Sequence, residues 1–202
     1  PIDLAGNDEF GTLSSTFNDM MIGIRAREKK ISYQARYDSL TGLLNRTEFV
    51  TELAEHLGRH AGTGRTAVVV LGVERLAETN STLGYETGDE LITEIARRLA
   101  AAIRPDDLLA RLGGDTFSLM FYQGADEATE AIVARLETEF EQPIPIKDFV
   151  LAADVKLGLT FHDGADGDAE QLIHEAEVAE FKTHGNSHNW HVFDHETDEV
   201  NP

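Results

Sequence analysis

The sequence predicts an α+β fold in which helices pack over a mostly antiparallel central sheet, and three observations carry that prediction. Segments with a helical apolar period interleave with short β-branched runs. They do so without the strict strand–helix alternation of a parallel sheet. Two alternating runs, DLLARLGG and DTFSLMFY, meet at a glycine pair, as two antiparallel strands around a tight turn do.

An N-terminal helix comes first. Leu13, Phe17, Met20, Ile24 and Ile31 follow the alternating four-and-three rhythm of a heptad stripe, with Arg27 interrupting the seam. So narrow an apolar face can bury against its own copy or against a neighbouring domain. A dimerising signalling helix and a helix packed on its own domain are the two readings it leaves.

Asp38 or Ser39 then opens a turn through Gly42 into a helix that runs to Leu57, and GRHAGTGR punctuates it. TAVVVLGVERL reads as a buried strand and GYETGDELITEIARRLAAAI as an amphipathic helix. After the glycine hairpin come a helix from Ala125 to Phe140, a strand pair around DFVLAADVKLGLTF, and a helix from Ala169 to Phe181. The segment NWHVFDHETDEVNP offers one short strand and then loses pattern.

Composition narrows the function classes. With 41% hydrophobic and 27% charged residues the chain falls in the ordinary soluble class, and it shows neither a membrane-spanning apolar run nor a signal-peptide pattern. The absence of cysteine excludes disulfides, thiolate metal sites and a cysteine nucleophile, and fits a cytosolic setting. Thirty-seven acidic against 17 basic residues give a net charge of −20, a field that repels polyanions and argues against nucleic acid as a partner. A small anionic ligand can still bind where arginines are locally grouped.

YDSLTGLLNR, then GYETGDELI, then RPDDLLARLGGDTFSLMF stand in an order and spacing that resemble a GGDEF domain, the module that in its active form condenses two GTP molecules into cyclic di-GMP. The likeness covers residues 36–194. NDEFGTLSSTFNDM resembles the second half of a HAMP signalling domain. The expected organisation is therefore a HAMP end and signalling helix over 1–35, a degenerate GGDEF domain over 36–194, and a tail or linker over 195–202.

The resemblance implies two metal-binding carboxylates, since the attacking 3′-hydroxyl and the triphosphate both need charge neutralised. The first position falls on Gly72, which has no ligand to offer, and Glu74 is the available substitute, two residues on and on the same strand face. Asp115 keeps the second. The fourth letter of the signature, a glutamate in the family, is Thr116, which cannot serve as a general base near neutrality. Family cations fall on Ala77, His184 and His188, with Lys182 able to compensate in part after a local shift. Such losses exceed the ~8 kcal/mol at the low end of enzymatic acceleration, so no cyclase turnover is expected.

Other family positions survive. Asn80 and Asp89 fall where the family reads guanine, so with Gly113 and Gly114 they could retain GTP recognition, or else serve as helix and loop caps. Mg2+ would accompany GTP there; no other cofactor is implied. The resemblance implies an inhibitory cyclic di-GMP site at an Arg-x-x-Asp motif, here Arg104 and Asp107, joined by Arg135 from the next helix. The competing reading is a surface ion pair with Pro105 and Asp106 in a turn.

His184, His188, His191 and His195 recur at four, three and four, which would make a metal-ready face on a helix. Gly185, Asn186, Ser187 and Asn189 argue against that helix, so solvated histidines or adventitious metal binding are favoured. The function expected is a regulatory module of cyclic di-GMP signalling, homodimeric through its N-terminal helix. It would be the cytoplasmic part of an inner-membrane protein, reaching the membrane only through segments outside this sequence and in some relatives followed by a phosphodiesterase domain with an EAL signature. An active diguanylate cyclase using Glu74 and Asp115, and a ligand-free dimerisation scaffold, are the alternatives.

Overall fold

The computed structural model describes residues 9–60, 64–123, 129–164, 167–184 and 188–198. Its layering follows from strand β2 (Arg65–Val73), which is apolar on both faces. Ala67, Val69, Leu71 and Val73 face one core, Val68 and Val70 the other, the period-two pattern of a strand covered from both sides. Around it the six-stranded sheet runs β1 (Leu44–Asn45), β3 (Leu108–Gly113), β4 (Thr116–Gln123), β2, β7 (Val155–His162), β8 (Trp190–Val192). The inner pairs are antiparallel and only the edge pairs β1–β3 and β7–β8 are parallel, as the α+β expectation requires. A small separate hairpin pairs β5 (Ile144–Ile146) with β6 (Phe149–Leu151).

Helices α4 (Tyr85–Ala102) and α5 (Thr129–Phe140) cover one face through Leu91, Ile92, Ile95, Leu99, Ile132 and Leu136. Arg98 joins them by donating to the carbonyls of Glu139, Gln142 and Pro143, groups left open where α5 ends. Helices α2 (Arg46–Arg59) and α6 (Ala169–Thr183) cover the other face through Phe49, Leu53, Leu172, Ile173 and Ala176. Each starts on a side-chain cap: Asn45 accepts from the Glu48 amide, and Asp168 from those of Glu170 and Gln171.

The N-terminal segment is one helix, α1 (Glu9–Arg36). Its C-terminal end docks on the domain, where the Asn45 amide donates to the Ala35 carbonyl at 2.9 Å and Arg36 pairs with Glu48 and Glu52. The heptad stripe lies open: Phe17, Met20, Ile24 and Ile31 are 42, 54, 40 and 67% exposed. Leu13 belongs to the helix, but its side chain is outside the described residues. No described helix is long and apolar enough to cross a membrane.

Four local expectations are corrected. The turn expected from Asp38 through Gly42 forms, Asp38 accepting from the Thr41 amide and hydroxyl, but the helix after it starts only at Arg46, because Leu44 and Asn45 first pair with β3. The strand ends at Val73 and not within ERL, since Arg75 adopts φ 62° and leads into the short helix α3 (Leu76–Leu83), which buries no residue and so leaves no period to read. Phe149–Leu151 folds back on β5 through Lys147 at φ 51°, leaving β7 to pair with β2 and β8. The described part of the expected tail, through Asp198, is folded back on the domain.

Asp198 is buried against Lys182, the His191 ring and the Asp194 amide. Burial pushes its pKa up, and the hydrogen bonds from those three groups outweigh it, holding the carboxyl down at about 2. Residues 125–128 of the helix expected from Ala125 lie outside the described residues.

His56, in α2, is buried with its Nε2 lacking a hydrogen bond, stacked on His60 at 4.2 Å and edge-on to Tyr122 at 5.3 Å. Burial, then the nearby His60 and Arg59 charges, push its pKa down from 6.5 to about 4. The unfolded chain therefore binds a proton that the folded one refuses between those values, so this group's contribution is complete above pH 6.5 and is lost as pH falls toward 4. Denaturant titrations between pH 7 and 5 are expected to show a decline in stability that is smaller in His56→Phe. Separately, Leu53→Ala, which empties a fully buried position under β2, is expected to cost ~2–5 kcal/mol in the same assay.

Candidate functional site

The glycine turn between β3 and β4 is built by Arg111. Its Nε and Nη2 donate to the Gly114 carbonyl at 3.1 and 2.6 Å, and its Nη1 to Asp38 Oδ1 at 3.1 Å. Asp38 is thereby held below the usual carboxylate range, burial opposing and the Thr41 and Arg111 hydrogen bonds prevailing. Gly113 at φ 152° and Gly114 at φ 50° make the bend that a side chain would resist. Asp115 follows, exposed; its carbonyl accepts from the Val73 amide at 3.0 Å, which ties the turn to the end of β2. Thr116 sits opposite Gly72 in the β2–β4 register, and its hydroxyl lies 3.3 Å from Asp115 Oδ1.

Position 72 thus lies beside Asp115, where the resemblance requires a metal ligand, and the space that its side chain would fill holds Glu180. The three heavy atoms nearest a Cβ built at Gly72 all belong to the Glu180 side chain, which reaches in from α6. Burial raises the Glu180 pKa; His184 works against that, and the neighbouring Glu74 and Asp115 charges add to it. Glu74, expected on the strand face, lies just beyond the strand end, and its carboxylate is engaged by His184 Nε2 at 2.9 Å. His184 also stands 3.7 Å from Glu180 Oε1. No three His, Asp or Glu side chains among the described residues are arranged to hold a metal ion.

The expected phosphate cations are equally thin. Ala77 is an exposed residue of α3, and His188 is exposed beyond residues 185–187, which are outside the described set. Lys182 is engaged elsewhere: its ammonium is held by Asp198 and the Thr197 carbonyl. Arg75, which sequence reasoning missed, stands next to the site but pairs with Glu78 at 3.0 Å and Asp154 at 3.7 Å. The histidine series is dispersed, with His184 on Glu74, His191 on Asp198 and His195 against the Phe193 ring.

Asn80 and Asp89 sit on adjacent helices, α3 and α4, that turn about Gly84. The Asn80 amide is pressed against Gly88, where an added Cβ would collide with it, and its Oδ1 is buried without a hydrogen bond. Asp89, the next residue, is exposed. An orphaned amide acceptor beside an open carboxylate leaves polar capacity that capping would have used up.

The Arg-x-x-Asp motif bridges α4 and β3. Asp107 Oδ2 accepts from the Arg104 amide at 2.8 Å and the Asp107 amide donates to the Arg104 carbonyl at 3.1 Å, so the motif is a closed turn with the Arg104 residue exposed. Asp107 precedes Leu108, whose register partner Met120 neighbours Phe121, and the Arg135 guanidinium lies over the Phe121 ring at 4.8 Å. All three expected residues are thereby brought to one end of the β3–β4 hairpin, away from its glycine turn.

Residues 35–188 match the family model described as diguanylate cyclase, GGDEF domain. An uncharacterized signaling protein of Caulobacter vibrioides is 35% identical over 161 residues, 78% of this chain and 20% of that protein. The cyclic di-GMP phosphodiesterase NbdA of Pseudomonas aeruginosa is 29% identical over 82% of this chain and 21% of its own length, and the diguanylate cyclase TpbB of the same species 28% over 85% and 40%. The chain thus spans well under half the length of these relatives.

Among solved structures, a sensory box/GGDEF family protein of Caulobacter crescentus superposes with TM-score 0.66 at 32% identity, covering 73% of this chain and 96% of that one. The coiled coil and GGDEF domain of DgcB from the same organism, in complex with c-di-GMP, shares the fold at TM-score 0.71 and 21% identity, over 92% and 99%. With its glycine turn, its six-stranded sheet and this match across most of its length, the chain belongs to the GGDEF diguanylate cyclase family.

Proposed function

We propose that this GGDEF domain is a cyclic di-GMP receptor without cyclase turnover, acting as a regulatory module through a dimeric N-terminal helix. The observation that carries the reading is the far end of the β3–β4 hairpin, where the Arg104–Asp107 turn leads into Leu108 and Arg135 lies over Phe121, the residue after the register partner of Leu108. Guanidinium groups can stack on guanine and fork to phosphate, and a carboxylate can accept from the guanine N1 and N2 donors. The relative DgcB is described in complex with c-di-GMP, which supports the same ligand class here. Family membership alone leaves activity open, since the relatives include one protein named as a cyclase and one as a phosphodiesterase.

The absence of turnover is inferred from the glycine-turn end. Gly72 offers no donor, Glu74 is bound by His184, and Thr116 carries no charge. Asn80 and Asp89 could retain guanine recognition, with Mg2+ accompanying GTP. Residues 1–35 are read as the end of a HAMP domain and its signalling helix; the open stripe of Phe17, Met20, Ile24 and Ile31 suits a second copy of α1. Ligand could alter the pairing of two copies only by binding two dimer arrangements with different affinity.

Calorimetric titration with cyclic di-GMP is expected to give saturable binding that weakens at least tenfold, about 1.4 kcal/mol, in Arg104→Ala and in Arg135→Ala. Unchanged affinity in both variants, or no binding by the parent chain, would remove the receptor reading. Sedimentation of the 202-residue chain is expected to show a dimer that Met20→Lys together with Ile24→Lys converts to monomer.

A further inference from the structure

We propose that the Glu180 carboxylate and a side chain at position 72 are alternative occupants of one space, so that Glu180 locks in the loss of the residue-72 ligand. Only its last consequence, concerning metal, rests on the functional reading above.

The backbone does not require glycine at 72. The residue lies within β2, pairs with Thr116 on one side and Lys156 on the other, and is not among the glycines with positive φ. What a side chain there would meet is the far end of Glu180: an added Cβ would lie closer to Oε1 than real Cβ contacts come, and 3.0 Å from Cδ, so the carboxyl group must move for it to enter. Gly158 is a different case. There an added Cβ would meet the Ala176 carbonyl and the Glu180 amide, which are main-chain atoms. Gly158 therefore lets α6 lie flush on β7, and that approach delivers Glu180 to the neighbouring strand.

The same helix face explains why Glu180 points inward. Ala169, Leu172, Ile173, Glu175, Ala176, Ala179 and Thr183 are its buried residues, and position 180 falls at helical spacing from Ile173, Ala176 and Thr183, its side chain 15% exposed. His184 stands one turn further on, between Glu180 and Glu74. A carboxylate restored at 72 would thus meet both a filled space and three existing carboxylates, Glu74, Asp115 and Glu180.

Thermal denaturation of the whole chain tests the shared space through a double-mutant cycle of Gly72→Ala and Glu180→Ala. The expected result is a Tm drop of roughly 4 °C or more for Gly72→Ala in the parent, reduced to less than half in the Glu180→Ala background. Gly158→Ala is the control, expected to lower Tm equally in both backgrounds. Additive effects of the first pair, or failure of Gly72→Ala to fold in either background, would overturn the proposal.

Calorimetry with Mn2+ then compares Gly72→Asp with Gly72→Asp/Glu180→Ala. Saturable binding confined to the double variant supports the lock, and equal binding by the single variant overturns it. If neither binds while the cycle remains coupled, the shared space stands and the assignment of residue 72 as a metal position fails.

Discussion

The seating of α6 on the sheet is the contact on which the rest of this site depends. At Gly158 the helix main chain meets the strand with no side chain between them, an approach that only glycine permits. The helix is pinned along its length: Asp168 caps its start, buried Glu175 is satisfied by Thr160 and Gln171, and Glu177 pairs with Arg46 of α2 at 2.7 Å. Lys182 fastens its end to Asp198. A helix held at this height and rotation delivers Glu180 to Gly72 and His184 to Glu74, so the chemistry beside the glycine turn is decided by packing several residues away.

That packing gives the hairpin two ends of opposite character. At the turn, Asp115, Glu74 and Glu180 are close enough for the first two to raise the proton affinity of the third, and the imidazole of His184 is the basic group that touches the cluster. A triphosphate brought there would add negative charge to negative charge. At the opposite end Asp107 closes the Arg104 turn and Arg135 lies over Phe121, with Asp106 in the same turn, within a chain whose net charge is −20.

Much of the fold was legible because its elements are strongly periodic. The two-faced apolar run of β2, the amphipathic α4 and the alternating strands around Gly113 and Gly114 carry their roles in their own residues. What was not legible depends on long-range pairing. Phe149–Leu151 has the composition to pair with β7, and only the reversal at Lys147 sends it back to Ile144–Ile146. The eight residues of α3 bury nothing and leave no period.

At the site, Gly72, Thr116 and Arg135 were placed only by counting positions against the resemblance, Arg135 from the glycine turn. Glu180 could not be read that way, because its meaning lies in a glycine 108 positions earlier in the chain. The signal that could have exposed it is an acidic residue set at helical spacing among Ile173, Ala176, Ala179 and Thr183. The fate of Lys182 was likewise hidden, since its partner Asp198 lies in a segment without pattern.

The proposed receptor keeps the geometry of the turn without its reaction. Incubating the chain with GTP and Mg2+ and separating the nucleotides chromatographically tests it most directly. GTP is expected to be recovered, with no cyclic di-GMP formed. Cyclic di-GMP that accumulates with time, and ceases to form in Asp115→Asn, would contradict it and return the domain to the working cyclases of its family.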